Sequence, residues 1–183
     1  MSKITDALYE RFKENLAGAS GDCVRTASGG AAQVIADLYR EKGIETACVY
    51  ETPWVKELGI VPALTEAGVT VHTDHIRLHA ETDRGGISEV DYGIAELGTL
   101  VQASEAVDGR IVSTMAEDYI GILRGSQIVP EYDDMFDLLS ALPEIPNFVG
   151  FVTGPSRTAD IECVTTIGVH GPLRLTAVVV DDL

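Results

Sequence analysis

Cysteine is scarce and badly spaced for metal chemistry. Cys23, Cys48 and Cys163 lie far apart and form no Cys-x-x-Cys pair, which argues against a four-thiolate iron–sulfur cluster or a structural zinc held by this chain alone. They read as reduced, partly buried small hydrophobes. No apolar run approaches the roughly 20 residues that cross a bilayer. The opening Met1-Ser2-Lys3-Ile4-Thr5-Asp6 lacks the apolar core of a secretion signal, so the expected location is cytoplasmic. No Gly-x-Gly-x-x-Gly follows a strand, and no Gly-x-x-x-x-Gly-Lys-Ser/Thr is present, so the familiar dinucleotide and P-loop fingerprints are missing. Basic residues are few: 13 Lys and Arg face 29 Asp and Glu, a net charge of −16. Such a field repels nucleic acid and anionic membranes, and a small anion would bind only where local groups reverse its sign.

What is present is an ordinary globular composition, 45% hydrophobic and 23% charged over 183 residues. This length predicts one domain, with residues 1–20 as a helical N-terminal extension. Ile4, Leu8, Phe12 and Leu16 recur at helical spacing, and Ala31, Val34, Ile35 and Leu38 repeat the pattern before Gly43. Residues 45–50 predict a strand, Thr52-Pro53 opens a helix carrying Trp54 and Leu58, and residues 69–71 predict another strand. This alternation favours a parallel sheet covered by helices. Short strand-like pieces follow at 91–95, 99–103, 119–123 and 127–129, separated by glycines, so antiparallel or irregular pairing is expected in the middle. Helical period returns over 131–142. Residues 148–152 and 173–180 read as buried strands.

The richest chemistry follows the first of these two strands, in Thr153-Gly154-Pro155-Ser156-Arg157-Thr158-Ala159-Asp160-Ile161-Glu162. Gly154 and Pro155 make a turn where backbone can approach a ligand, while Ser156, Arg157 and Thr158 supply donors for a carboxylate or phosphate. Asp160 is placed to orient Arg157; Asp160 and Glu162 can equally pair with that arginine or cap a helix. His170, in Gly168-Val169-His170-Gly171-Pro172, is either an acid–base group or a turn histidine bonded to a carbonyl. In the run from Asp91 to Leu100, Glu96 and Thr99 interrupt an apolar pattern beside Gly98. Glu96 can act as nucleophile, base or ligand anchor, or simply satisfy turn amides. Ser28-Gly29-Gly30 either presents amides to an anion or provides an N-cap. His72, His75 and His79 share a face only on a helix, and residues 69–72 read as a strand running into a loop, so a polar surface is favoured over a metal site.

Three blocks, Asp91 to Leu100, Thr153 to Glu162 and Gly168 to Pro172, resemble the signature of the lactate-utilisation (LUD) domain family, a likeness covering roughly residues 86–181. Leu97 and Tyr119 depart from that family's usual pattern. The resemblance implies an α/β three-layer sandwich with a mixed, mainly parallel sheet, like the NagB/RpiA/CoA-transferase group. It implies a place in a three-protein system oxidising L-lactate to pyruvate, with iron–sulfur clusters on partner subunits and no cofactor or metal in this chain. The expected ligand is a small carboxylate or other anion at the carboxyl ends of the strands. Arg157, Ser156 and Thr158 would grip it beside Gly154, His170 would exchange a proton, and Glu96 with Thr99 would form the opposite wall. The rival expectations are a stand-alone enzyme of CoA-transferase or formyltetrahydrofolate cyclo-ligase type, with Glu96 as its nucleophile, and a non-catalytic adaptor for the iron–sulfur subunits.

Overall fold

The computed structural model describes residues 4–158 and 166–181. Thr5 starts the first helix, α1 (Asp6–Gly18), by accepting the amide of Leu8 on its hydroxyl. Next come β1 (Asp22–Ala27), a single 3₁₀ turn, α2 (Ala31–Glu41) and β2 (Thr46–Tyr50). The helix predicted from Thr52 is split into α3 (Pro53–Glu57) and α4 (Ile60–Glu66), because Gly59 between them takes a φ of 70°. Then follow β3 (Thr70–His72), the short α5 (Ile76–His79), β4 (Gly85–Val90), β5 (Tyr92–Ile94) and β6 (Thr99–Ala103). The rest comprises α6 (Val107–Met115), β7 (Asp118–Arg124), β8 (Ile128–Val129), α7 (Tyr132–Ser140), β9 (Val149–Val152), β10 (Arg157–Thr158), β11 (Thr166–Ile167) and β12 (Arg174–Asp181).

Six strands form a wholly parallel sheet in the order β1-β12-β7-β4-β2-β3. Alternating side chains along its central strands divide between two cores. Tyr119, Leu123, Leu175, Ala177 and Val179 face Phe12 and Leu16 of α1, Val112 of α6 and Leu100 of β6. Ile120, Ile122, Val178 and Val180 face Ile35 and Tyr39 of α2, Trp54 and Leu64. A second sheet, in the order β8-β5-β6-β9, stacks on the first of these faces and carries the antiparallel pairing expected for the middle of the chain. Its outer face, Ile94 and Val101, is covered by Met135 and Leu139 of α7. The architecture is therefore mixed α/β around a mainly parallel central sheet.

Three features differ from the sequence expectations. Phe12 and Leu16 are fully buried, so α1 belongs to the main core and is no peripheral extension. Strand β9 is a half-exposed edge of the small sheet, not a buried central strand. Elements β1, β4 and α6 lie in segments that showed no clear period.

Candidate functional site

Residues 153–157 fold against the end of α1. Gly154, at φ 72°, sits so close to the Ala19 carbonyl that a Cβ there would lie 2.2 Å from its oxygen. Arg157 Nη2 donates to the same carbonyl at 3.2 Å, so one acceptor at the helix C-terminus fixes both the turn and the guanidinium. The second motif closes over the first. Ser156 N donates to Pro172 O at 2.9 Å, Gly168 N donates to Ser156 O at 2.9 Å, and His170 N donates to Ser156 Oγ at 3.3 Å. The two segments thus border a cleft of about 310 Å³.

Its polar lining is Ser113, Thr114, Thr153, Ser156, Arg157 and His170; among the described residues it contains no carboxylate. Arg157 and His170 are both exposed, so a ligand can reach them without a conformational change. In a chain of net charge −16, the described lining gathers an arginine, an imidazole and hydroxyls, groups whose chemistry suits negative charge.

This cleft lies at the opposite edge of the large sheet from the one expected. Pro172 lies two residues before β12, and β12 and β7 begin side by side, with Arg174 opposite Asp118. The motif therefore flanks the amino ends of the parallel strands, although it does follow the carboxyl end of β9. The crevice at the carboxyl ends of β2 and β4, about 250 Å³, is lined by Glu89, Asp91 and Glu105 together with Tyr50, Thr52 and Gln102. Burial raises the pKa of Asp91 above its usual value, the response of a carboxyl group in surroundings hostile to negative charge. Its acidic lining makes that crevice the poorer of the two for an anion.

The remaining candidates are scattered. Thr99 is buried behind the cleft wall, its hydroxyl 2.6 Å from that of Thr153. Thr158 pairs with Thr166 in the β10–β11 ladder and does not line the cleft. Glu96 also lies outside the lining. Its carboxylate accepts the first free amide of α7, Tyr132 N, at 2.8 Å, while Asn15 Nδ2 donates to the carbonyls of Ala95 and Glu96 at 2.9 Å each. Asp160, Glu162 and Cys163 lie outside the described residues.

Ser28 does not cap α2; its hydroxyl donates to Asp181 O at 3.2 Å, and Gly30 holds the cap position. His72 and His79 stack with centroids 3.6 Å apart, and His72 Nδ1 lies 2.7 Å from Asp83 Oδ2, which also accepts Cys48 Sγ at 3.3 Å. His75 stands apart as an exposed turn residue. Among the described residues no trio of His, Cys, Asp or Glu has a metal-holding arrangement.

Ser113 and Thr114, unnoticed in the sequence, reach the cleft from α6. Val107, Ile111 and Val112 do carry a helical spacing there, but Gly109 and the β-branched run weaken it. Cys23 and Cys48 are kept protonated by their surroundings: burial pushes Cys23 up to about 11, and burial together with Asp83 pushes Cys48 up to about 12. At pH 8 the native protein is expected to leave Cys23 and Cys48 unmodified by iodoacetamide, as read by peptide mass spectrometry, and to expose both once denatured. Rapid native labelling of either would contradict the packing.

The LUD domain family model matches residues 9–180. The lactate utilization protein C 1 of Bacillus mycoides is 30% identical, the alignment covering 97% of this chain and 80% of the relative. The lactate utilization protein C of Halalkalibacterium halodurans is 31% identical, over 97% and 81%. A crystal structure of a DUF162 family protein from Deinococcus radiodurans superposes with a TM-score of 0.69 at 17% identity, covering 95% of this chain and 96% of that one. At that identity the likeness establishes the fold. Among the described residues no helix is long and apolar enough to cross a membrane.

Proposed function

Because the chain belongs to the LUD domain family, we propose that it serves lactate utilisation as a subunit of a system oxidising L-lactate to pyruvate, and that the Ser156–Arg157–His170 cleft binds a small carboxylate or other anion. The observation that carries the anion reading is the cleft's lining: one guanidinium, one imidazole and several hydroxyls with no described carboxylate. Arg157 commits one of its donors to Ala19 O, which anchors the fork at one nitrogen while the outer face remains exposed. Ser156 is held by three backbone contacts and adds a preset hydroxyl. His170 supplies an exposed imidazole that can give or take a proton at the ligand. Iron–sulfur subunits are the proposed partners and would carry the redox centres, leaving this chain the tasks of binding and positioning.

Calorimetry with L-lactate, pyruvate and inorganic phosphate tests the cleft. A charge-assisted hydrogen bond contributes roughly 1.5–3 kcal/mol, so Arg157→Ala is expected to weaken the preferred anion about tenfold or more. Glu96→Gln is the control, because its carboxylate caps α7 away from the cleft, and it is expected to leave that affinity unchanged. Equal binding by wild type and Arg157→Ala would remove the arginine from the reading. The capping role of Glu96 also weighs against the stand-alone transferase: incubation with an acyl-CoA is expected to give no adduct at Glu96 in mass spectra.

A further inference from the structure

The cleft has an aromatic neighbour. Tyr132 and Phe136 on α7 and Phe151 on β9 form a contiguous cluster at the seam between helix and edge strand, each about two-fifths exposed. The Phe136 and Phe151 rings are nearly parallel, 11° apart in plane with centroids 6.0 Å apart, and Tyr132 meets Phe136 edge-on at 4.8 Å. Three large rings left in water at one place form an apolar platform that the fold does not use internally. Phe151 belongs to this cluster and also lines the motif cleft. An aromatic surface therefore runs without interruption into a site for negative charge.

We infer that the cleft takes an anion bearing a planar ring, of mononucleotide chemistry, with its phosphate at Ser156 and Arg157 and its ring stacked on the Phe136–Phe151 platform. This rests on the anion reading above and names the ligand class for the same site. Every planar heterocycle offers a π-face to such rings, and stacking of this kind is sequence-tolerant and strong enough to shift affinity about tenfold or more. Exposed aromatic faces are electrostatically suited to a neutral or cationic heterocycle.

The test titrates the full chain by calorimetry with AMP, nicotinamide mononucleotide and FMN, against ribose 5-phosphate and L-lactate. At least one ring-bearing phosphate is expected to bind about tenfold or more tightly than ribose 5-phosphate. Phe136→Ser is expected to erase that advantage while leaving the Kd of ribose 5-phosphate unchanged. Phe136 is well exposed, so this variant should fold, and thermal melting checks that it does. Phe151→Ser provides a second route to the same loss. Ribose 5-phosphate binding as tightly as all three nucleotides overturns the inference and leaves the anion reading intact, as does binding of L-lactate with none of the phosphates. A ring-dependent gain that survives both phenylalanine variants also overturns it. No binding of any of the five removes both.

Discussion

Gly98→Ala is expected to lower folding stability by about 4 kcal/mol or more, enough to leave little soluble protein. Two costs combine. Gly98 takes a φ of 62°, where an L side chain loses about 1 kcal/mol or more. An added Cβ would also stand 2.0 Å from Leu16 N and 2.5 Å from Asn15 C, both backbone atoms of α1 that cannot rotate aside, and overpacking of this kind adds up to about 3 kcal/mol. The turn and the helix would have to separate, breaking the two bonds from Asn15. Gly43→Ala separates the two costs. Gly43 has the same φ of 62°, but nothing lies within 4 Å of its added Cβ, so only the conformational cost of about 1 kcal/mol is expected. Urea denaturation of both variants gives the comparison; equal losses would show that α1 yields to the turn without resistance.

Asp118→Ala is expected to cost about 3 kcal/mol. The Asp118 side chain is fully buried at the amino edge of the large sheet, with Oδ1 3.1 Å from Lys42 Nζ and Oδ2 2.7 Å from Arg174 Nε. Lys42 is mostly covered and donates also to Thr176 Oγ1, so removing the carboxylate strands an ammonium ion with one neutral partner. Arg174→Ala should cost about 1 kcal/mol, since that guanidinium is 41% exposed and shares its contacts with Glu117. Asp118→Asn should fall between the two, keeping hydrogen bonds while losing charge. A loss below about 1 kcal/mol for Asp118→Ala would mean that Lys42 escapes to solvent when its partner is removed.

The fold was legible where a single element carries its own burial. Strands β7 and β12 are almost continuously apolar, and α2 and α7 present regular apolar faces, so composition and period place them. It was illegible where burial is imposed from outside. Strand β4 begins Gly85-Gly86, which reads as a loop. Both glycines are needed because the Tyr39 ring presses on one and Ala116 on the other, contacts made from far along the chain. Strand β1, a half-exposed edge, alternates too weakly to stand out. At the site, the chemistry of Ser156, Arg157 and His170 was readable as residue types, and the structure gathers them. Its position was not, because the cleft is made by Ala19 meeting Gly154 and by Pro172 meeting Ser156. Glu96 shows the converse: a carboxylate in a glycine-bearing turn invites a catalytic reading, yet its partner is a helix amide 36 residues away.

The last turn of α1 touches both halves of this arrangement. Asn15 clamps the turn at residues 95–98, and the Ala19 carbonyl meets Gly154 and Arg157. Residues 4–19 are thus the brace from which the guanidinium hangs. A bulky fusion that unseats only this last turn is expected to weaken anion binding at the cleft while Phe12 and Leu16 still hold the core, so affinity becomes a sensitive gauge of whether the end of the amino-terminal helix is seated.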